Sequence, residues 1–220
     1  MKKVIISVLS AALMLMGTQA IAQPSLGVGY LNSTESTVNT SYNSASSANL
    51  NGFYAGLNYN IDIAGGLGIA PGLYASMLFG SSKEGGSLGP ITSSGVVKYS
   101  EFALNVPVNV NYGIKLNRDT KVILYAGPVF QYGLSSKTEA SGSTNVGGLF
   151  TLNSNGTTDN YNGDNANRNP FVIYVGGGAA LQAGNLQIIL GYDHSVTNIS
   201  KVDNTQVGRS QIKVGFGMAF

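Results

Sequence analysis

The last ten residues alternate strictly. Ile212, Val214, Phe216, Met218 and Phe220 fall on one parity, and Gln211, Lys213, Gly215, Gly217 and Ala219 on the other. A period of two marks a strand with two unlike faces. Residues 102–112 repeat the pattern with Phe102, Leu104, Val106, Val108, Val110 and Tyr112 set against Ala103, Asn105, Pro107, Asn109 and Asn111. It recurs in Phe53–Asp62, Leu67–Phe79, Val122–Gly133, Phe171–Leu181 and Leu186–Asp193, with a short first instance at Leu26–Tyr30. The pattern predicts eight strands, most of them near the 9–11 residues that a tilted membrane-crossing strand needs. No apolar-face position carries a charge, which near a bilayer midplane costs roughly 2–4 kcal/mol. The opposite face is Gly, Ala, Asn and Tyr, suited to a narrow eight-stranded cylinder.

Connection lengths point the same way. Short joins sit around Gly65-Gly66, at Gly113 to Thr120 and at Ala183-Gly184-Asn185, while 33–50, 80–97, 135–169 and 194–210 read as long polar loops. Short turns at one end and long loops at the other predict an all-β fold, an eight-stranded antiparallel up-and-down transmembrane β-barrel, with the long loops outside the cell. An even strand count then places both mature termini in the periplasm.

The N-terminus stands apart. Lys2 and Lys3, the apolar run Val4 to Gly17 and the Ala20-Ile21-Ala22 motif before Gln23 predict a signal peptide over 1–22, leaving 23–220 as one barrel domain. Loss of Lys2 and Lys3 from 12 basic residues balances the 10 acidic ones, so the charge gives no reason to expect a nucleic-acid partner. Charged residues are only 10% of the chain, against about 25% in soluble domains, a deficit that suits a lipid-facing exterior. The absence of Cys excludes disulfides and lipidation of a cleavage-site Cys.

Three segments resemble the porin-like outer-membrane β-barrel family, in size and layout its small OmpA/OmpX-type members. Val214-Gly215-Phe216-Gly217-Met218-Ala219-Phe220 looks like the terminal signal read by the barrel assembly machinery, with Val214, Phe216, Met218 and Phe220 carrying it. Glu101 followed by Val106-Pro107-Val108-Asn109-Val110-Asn111-Tyr112, and Tyr125-Ala126-Gly127-Pro128, resemble strand motifs of such barrels, although Asn and Val replace the usual Leu and Lys in the first. The resemblance implies an outer-membrane location, membrane lipid and the assembly machinery as partners, and no single activity.

Candidate chemistry is sparse. Asp193-His194-Ser195 unites carboxylate, base and nucleophile types, yet strand neighbours face opposite ways, so His194 is expected to point away from the other two. Gly176-Gly177-Gly178 lacks the spacing of a nucleotide loop and is expected to make room in the barrel. Asp159, Asn160, Asn162, Asp164 and Asn165 offer oxygen atoms without the order of a calcium loop. No metal site or cofactor is expected. Glu101, Asp193 and Lys213 share the polar face near the strand ends, which predicts an Asp193–Lys213 pair and a lumen charge cluster with Glu101, alongside interior Tyr54, Tyr74, Tyr125 and Tyr174. The leading expectation is a non-enzymatic scaffold whose outer loops serve envelope integrity or contact with an extracellular partner. The alternative is a narrow porin-like channel for small solutes or ions. Behind these stand an outer-membrane lipid-modifying enzyme and a soluble ligand-binding barrel.

Overall fold

Residues 22–41, 43–88, 91–146, 150–163 and 166–220 are described by the structure, a computed structural model. The expected signal peptide, apart from Ala22, lies outside the described residues, as do Asp164 and Asn165. The described chain is built of strands: β1 (Ala22–Asn39), β2 (Ser44–Ala64), β3 (Leu67–Leu88), β4 (Ile91–Lys115), β5 (Thr120–Val146), β6 (Phe150–Asp159), β7 (Phe171–Ala183), β8 (Leu186–Ser195) and β9 (Thr205–Ala219). Every pairing is antiparallel, and the chain closes where β1 meets β9 and β4 meets β5. Eight strands form the ring, in the order β1-β2-β3-β4-β5-β7-β8-β9. These are the eight that the alternation predicts. β6 is additional and pairs with β5 beyond the ring.

The start of β1 and the end of β9 lie at one rim, the proximal one, where the Phe220 amide donates to the Pro24 carbonyl at 2.9 Å. The proximal turns are tight. Gly65 and Gly66 have φ of 59° and 88°, the left-handed geometry that a two-residue hairpin turn requires, and Gly184 has 58°. At the opposite, distal rim the structure departs from the sequence expectation. The spans 33–50 and 80–97 are mostly strand, as are 135–146 and 150–159 of the third span and the end of 194–210. Among the described residues of these spans, 160–163, 166–170 and 196–204 remain largely irregular. The reason is physical: outside lipid both faces of a hairpin meet water, so the apolar-polar alternation lapses while the backbone ladder continues.

The apolar parity points outward. Phe53, Val110, Leu124, Ile188 and Phe216 are all exposed on the barrel wall. The distal limit of this apolar band is sharp. Moving outward along β1, Val28 and Tyr30 give way to Asn32 and Thr34; on β8 and β9, Tyr192 gives way to His194 and Ile212 to Ser210. The hydroxyl of Tyr30 donates to Asn51 and that of Tyr192 to Ser210, so aromatic rings mark the boundary with their polar tips in the wet layer. An apolar wall around a closed ring buries nothing in water and suits a lipid surround.

The inward face is filled. Tyr54 and Tyr74 meet edge to face, with centroids 5.8 Å apart. Gly29 and Gly215 give Tyr54 its space, because a Cβ at either would strike that ring. Leu31, Leu50 and Leu78 pack around Tyr54, and Val129, Val172, Tyr174 and Ile199 form a second buried cluster. Ile199 comes from the irregular 196–204 segment, which is therefore anchored in the barrel mouth.

Candidate functional site

β1, β4 and β9 each carry one inward charge at the distal end of the lumen: Glu35, Glu101 and Arg209. All three are buried, Arg209 at 1% exposure, Glu101 at 4% and Glu35 at 5%. Arg209 is the hub. Its Nη1 and Nη2 donate to the two Glu101 oxygens at 2.7 and 2.9 Å, and its Nε donates to Glu35 Oε1 at 2.9 Å. A guanidinium can do this because its fork matches a carboxylate on each edge.

A second arginine completes the balance. Arg168, from the segment after β6, makes a two-point contact with Glu35, both bonds at 2.8 Å, and lies 4.5 Å above the Tyr99 ring. Two carboxylates thus face two guanidinium groups. Tyr99 donates to Glu101 and Gln131 donates to it at 3.0 Å. Burial pushes the Glu35 carboxyl up, but the charges and hydrogen bonds of Arg209 and Arg168 outweigh it and hold it at about 2. Glu35 lies between Thr34 and Ser36, distal to the apolar band.

The irregular segment forms a cap over this layer. The Asp159 carboxylate accepts the backbone N–H groups of Tyr161 and Asn162 at 3.0 and 3.1 Å, turning the chain inward. Asn160, buried, bonds Ser136 at 2.9 Å. The Tyr161 ring lies against Gly133, where any Cβ would collide with it. Asn169 donates to the carbonyls of Asn198 and Ser200 at 3.0 and 3.1 Å, tying the two irregular segments together.

Lower in the lumen lies a separate pair. Lys213 contacts Asp193 as an ion pair, and both border a cavity of about 110 Å³ lined also by Tyr54, Tyr74, Tyr125 and Asn109. Arg209 and Lys213 are four residues apart on β9, roughly 13 Å along the strand. The structure therefore brings Asp193 and Lys213 together and places Glu101 in the higher network with Arg209 rather than with them. Glu35, Arg168 and Arg209 are the members that sequence reasoning missed. For two of them the signal was present: the inward parity of Gly29 and Leu31 runs on to Glu35, and that of Lys213 and Gln211 runs on to Arg209.

The remaining candidates resolve simply. Asp193 and Ser195 are buried inward, whereas His194 is exposed on the outer face with Nδ1 2.9 Å from Ser210 Oγ. Nucleophile, base and carboxylate are thus split across the wall. Of the candidate calcium residues that are described, Asp159 is engaged in the cap turn and Asn160 with Ser136 and Thr138. No group of three metal-ligating side chains occurs among the described residues. Gly176 and Gly178 face inward, where a Cβ would meet Asp193 or Tyr125. Val214, Phe216, Met218 and Phe220 lie exposed on the outward face of the β9 end.

A closed eight-stranded ring with an apolar outer band, aromatic boundaries and a packed polar lumen is now complete. The chain has the fold of a small outer-membrane β-barrel. No family model matches it, and no curated protein matches it. Among solved structures it is similar to Ail, the attachment invasion locus protein of Yersinia pestis, in complex with the heparin analogue sucrose octasulfate, at 15% identity over 90% of this chain and 99% of that one, with a TM-score of 0.38. It is similar to Neisserial surface protein A at 13% identity over 89% and 99% of the two chains, TM-score 0.41. A designed transmembrane β-barrel matches at 13% identity over 87% and 95%, TM-score 0.32.

Proposed function

We propose that this barrel is a non-enzymatic scaffold of the outer membrane, closed to solutes, that holds its distal strands outside the cell for contact with other surfaces. Both termini then lie in the periplasm, and the β9 end carrying Val214, Phe216, Met218 and Phe220 serves as the signal for the assembly machinery. The observation that carries this reading is the Glu35–Arg209–Glu101–Arg168 layer: charge-balanced, with Glu35, Glu101 and Arg209 buried and Arg168, which belongs to the cap above them, half-buried. A working pore needs mobile, hydrated charges along its path. Here Glu35, Glu101 and Arg209 are desolvated and all four charges are engaged with one another, as in a packed core.

A narrow channel is the second reading, favoured by the cavity of about 110 Å³ beneath the plug. Single-channel recording of the refolded barrel in a planar lipid bilayer separates the two. Insertion without conductance steps is the expected result; reproducible steps overturn the closed scaffold and establish the channel.

A further inference from the structure

Beyond the ring, β3, β4, β5 and β6 continue together as a four-stranded blade. Its rungs run from Gly80↔Tyr99 to Leu88↔Ile91, from Tyr99↔Thr138 to Ile91↔Val146, and from Lys137↔Asp159 to Val146↔Phe150. Ten residues of β6 reach roughly 33 Å along the blade. Among the described residues β6 has β5 as its sole strand partner, and β3 beyond Gly80 has only β4. The blade therefore ends in two edges, each a row of backbone groups without a strand partner.

The two edges differ. The β3 edge carries Lys83 and the Gly85-Gly86 pair, a charge and two weak strand formers that discourage pairing. On β6, Phe150 to Thr158 reads FTLNSNGTT, with no charge and no proline, and each residue from Phe150 to Thr157 is exposed. A third run, Ser44 to Leu50 of β2, is paired with β1 and has no strand partner on its β3 side; it is uncharged but shorter, and only its Asn49 borders the cleft of about 530 Å³ towards Gly80 and Ser81. Among the described residues the β6 edge is the longest open run without a charge or a proline.

We propose that the β6 edge pairs antiparallel with β6 of a second copy of this chain on an opposing membrane surface, joining two blades into one continuous sheet. This rests on the reading above that the blade faces outward. Two observations select the partner. The uncharged run is self-complementary about its midpoint: with Ser154 opposite Ser154, Asn153 meets Asn155, Thr151 meets Thr157, Leu152 meets Gly156 and Phe150 meets Thr158. These are compatible cross-strand pairs, and the register leaves the like-charged Asp159 residues outside it. Direction supplies the second. β6 runs from the blade tip towards the barrel, so copies standing side by side in one membrane present β6 strands in the same sense. An antiparallel pair about a two-fold axis through the sheet normal requires barrels at opposite ends, hence two apposed surfaces.

The test uses lipid vesicles carrying the refolded barrel, with insertion confirmed by heat-modifiable gel mobility and outward orientation by external protease clipping of the blade. Wild-type vesicles are expected to cluster in light scattering. Ser154→Lys and Ser154→Glu each place like charges opposite one another and reduce clustering about tenfold. Mixing vesicles that carry Ser154→Lys with vesicles that carry Ser154→Glu restores it, because opposite charges now meet at the two-fold. Wild-type vesicles that do not cluster, variants that cluster as well as wild type, or a mixture that fails to recover overturn the pairing. Insertion, orientation and conductance are read separately, so this failure is distinguishable from failure of the closed-scaffold reading.

Discussion

Arg209 concentrates more of the lumen's electrostatics in one side chain than any other residue of the plug. It is 1% exposed and bonds both Glu35 and Glu101. Substituting Arg209→Met leaves Glu101 without its cation, and breaking a buried pair on one side costs about 3–5 kcal/mol. A matching loss is expected in urea unfolding of the barrel in detergent micelles, with Arg209→Lys recovering only part, since an ammonium lacks the fork that spans two carboxylates. Glu35 sets a pH dependence. Its folded pKa of about 2 lies below its usual 4.5, so its contribution is complete above about pH 4.5 and is lost as pH falls towards 2. Unfolding midpoints measured from pH 6 down to pH 2 should fall across that window, and Glu35→Gln should flatten the fall. Asp193, Lys213 and Glu101 were legible because each lies on a strand whose alternation is plain. Glu35 and Arg209 keep the same inward parity, but they lie past the apolar outward neighbours Tyr30 and Ile212, so only an extension of the alternation beyond its apolar half would have found them. Arg168 had no signal: its place is set by an irregular segment that no periodicity describes.

At the scale of elements, the ring strands were legible wherever lipid writes the alternation, and the distal extensions were not. Ser44 to Leu50 and Thr151 to Thr158 carry mixed polar residues on both parities, and only pairing with β1 and β5 makes them strands. The cap was equally hidden, since it depends on Tyr161 finding the space left by a glycine on another strand. That dependence is testable. A Cβ at Gly133 would overlap the Tyr161 ring, so Gly133→Val is expected to lift Tyr161 and loosen 160–170 while the ring strands persist. Arg168 then becomes a trypsin site. Limited digestion should cut the variant after Arg168 at least about tenfold faster than wild type, because local opening governs cleavage, and gel mobility should still report a folded barrel.

At the scale of the whole molecule, the question is which layer closes the cylinder. Two charged layers cross the lumen: the Glu35–Arg209–Glu101–Arg168 plug and, roughly 13 Å lower, the Asp193–Lys213 pair beside the cavity. The layers differ in support. Lys213 keeps 22% of its side chain exposed and has one carboxylate partner, whereas Arg209 is enclosed by two carboxylates and covered by the cap. Interior Tyr54, Tyr74 and Tyr125 crowd the lower level, but the cavity they border shows that they leave space. The upper layer is therefore the seal. Asp193→Asn combined with Lys213→Met removes the lower pair without stranding a charge, and this double variant should remain silent in a planar bilayer. Removing the upper layer in a balanced way, with Glu35→Gln, Glu101→Gln, Arg168→Gln and Arg209→Gln together, replaces four strong contacts by weaker amide bonds that open to water. Conductance steps are expected from that variant alone. Steps from the lower double variant would instead assign the closure to Asp193 and Lys213, and the cap would then be a surface feature rather than a stopper.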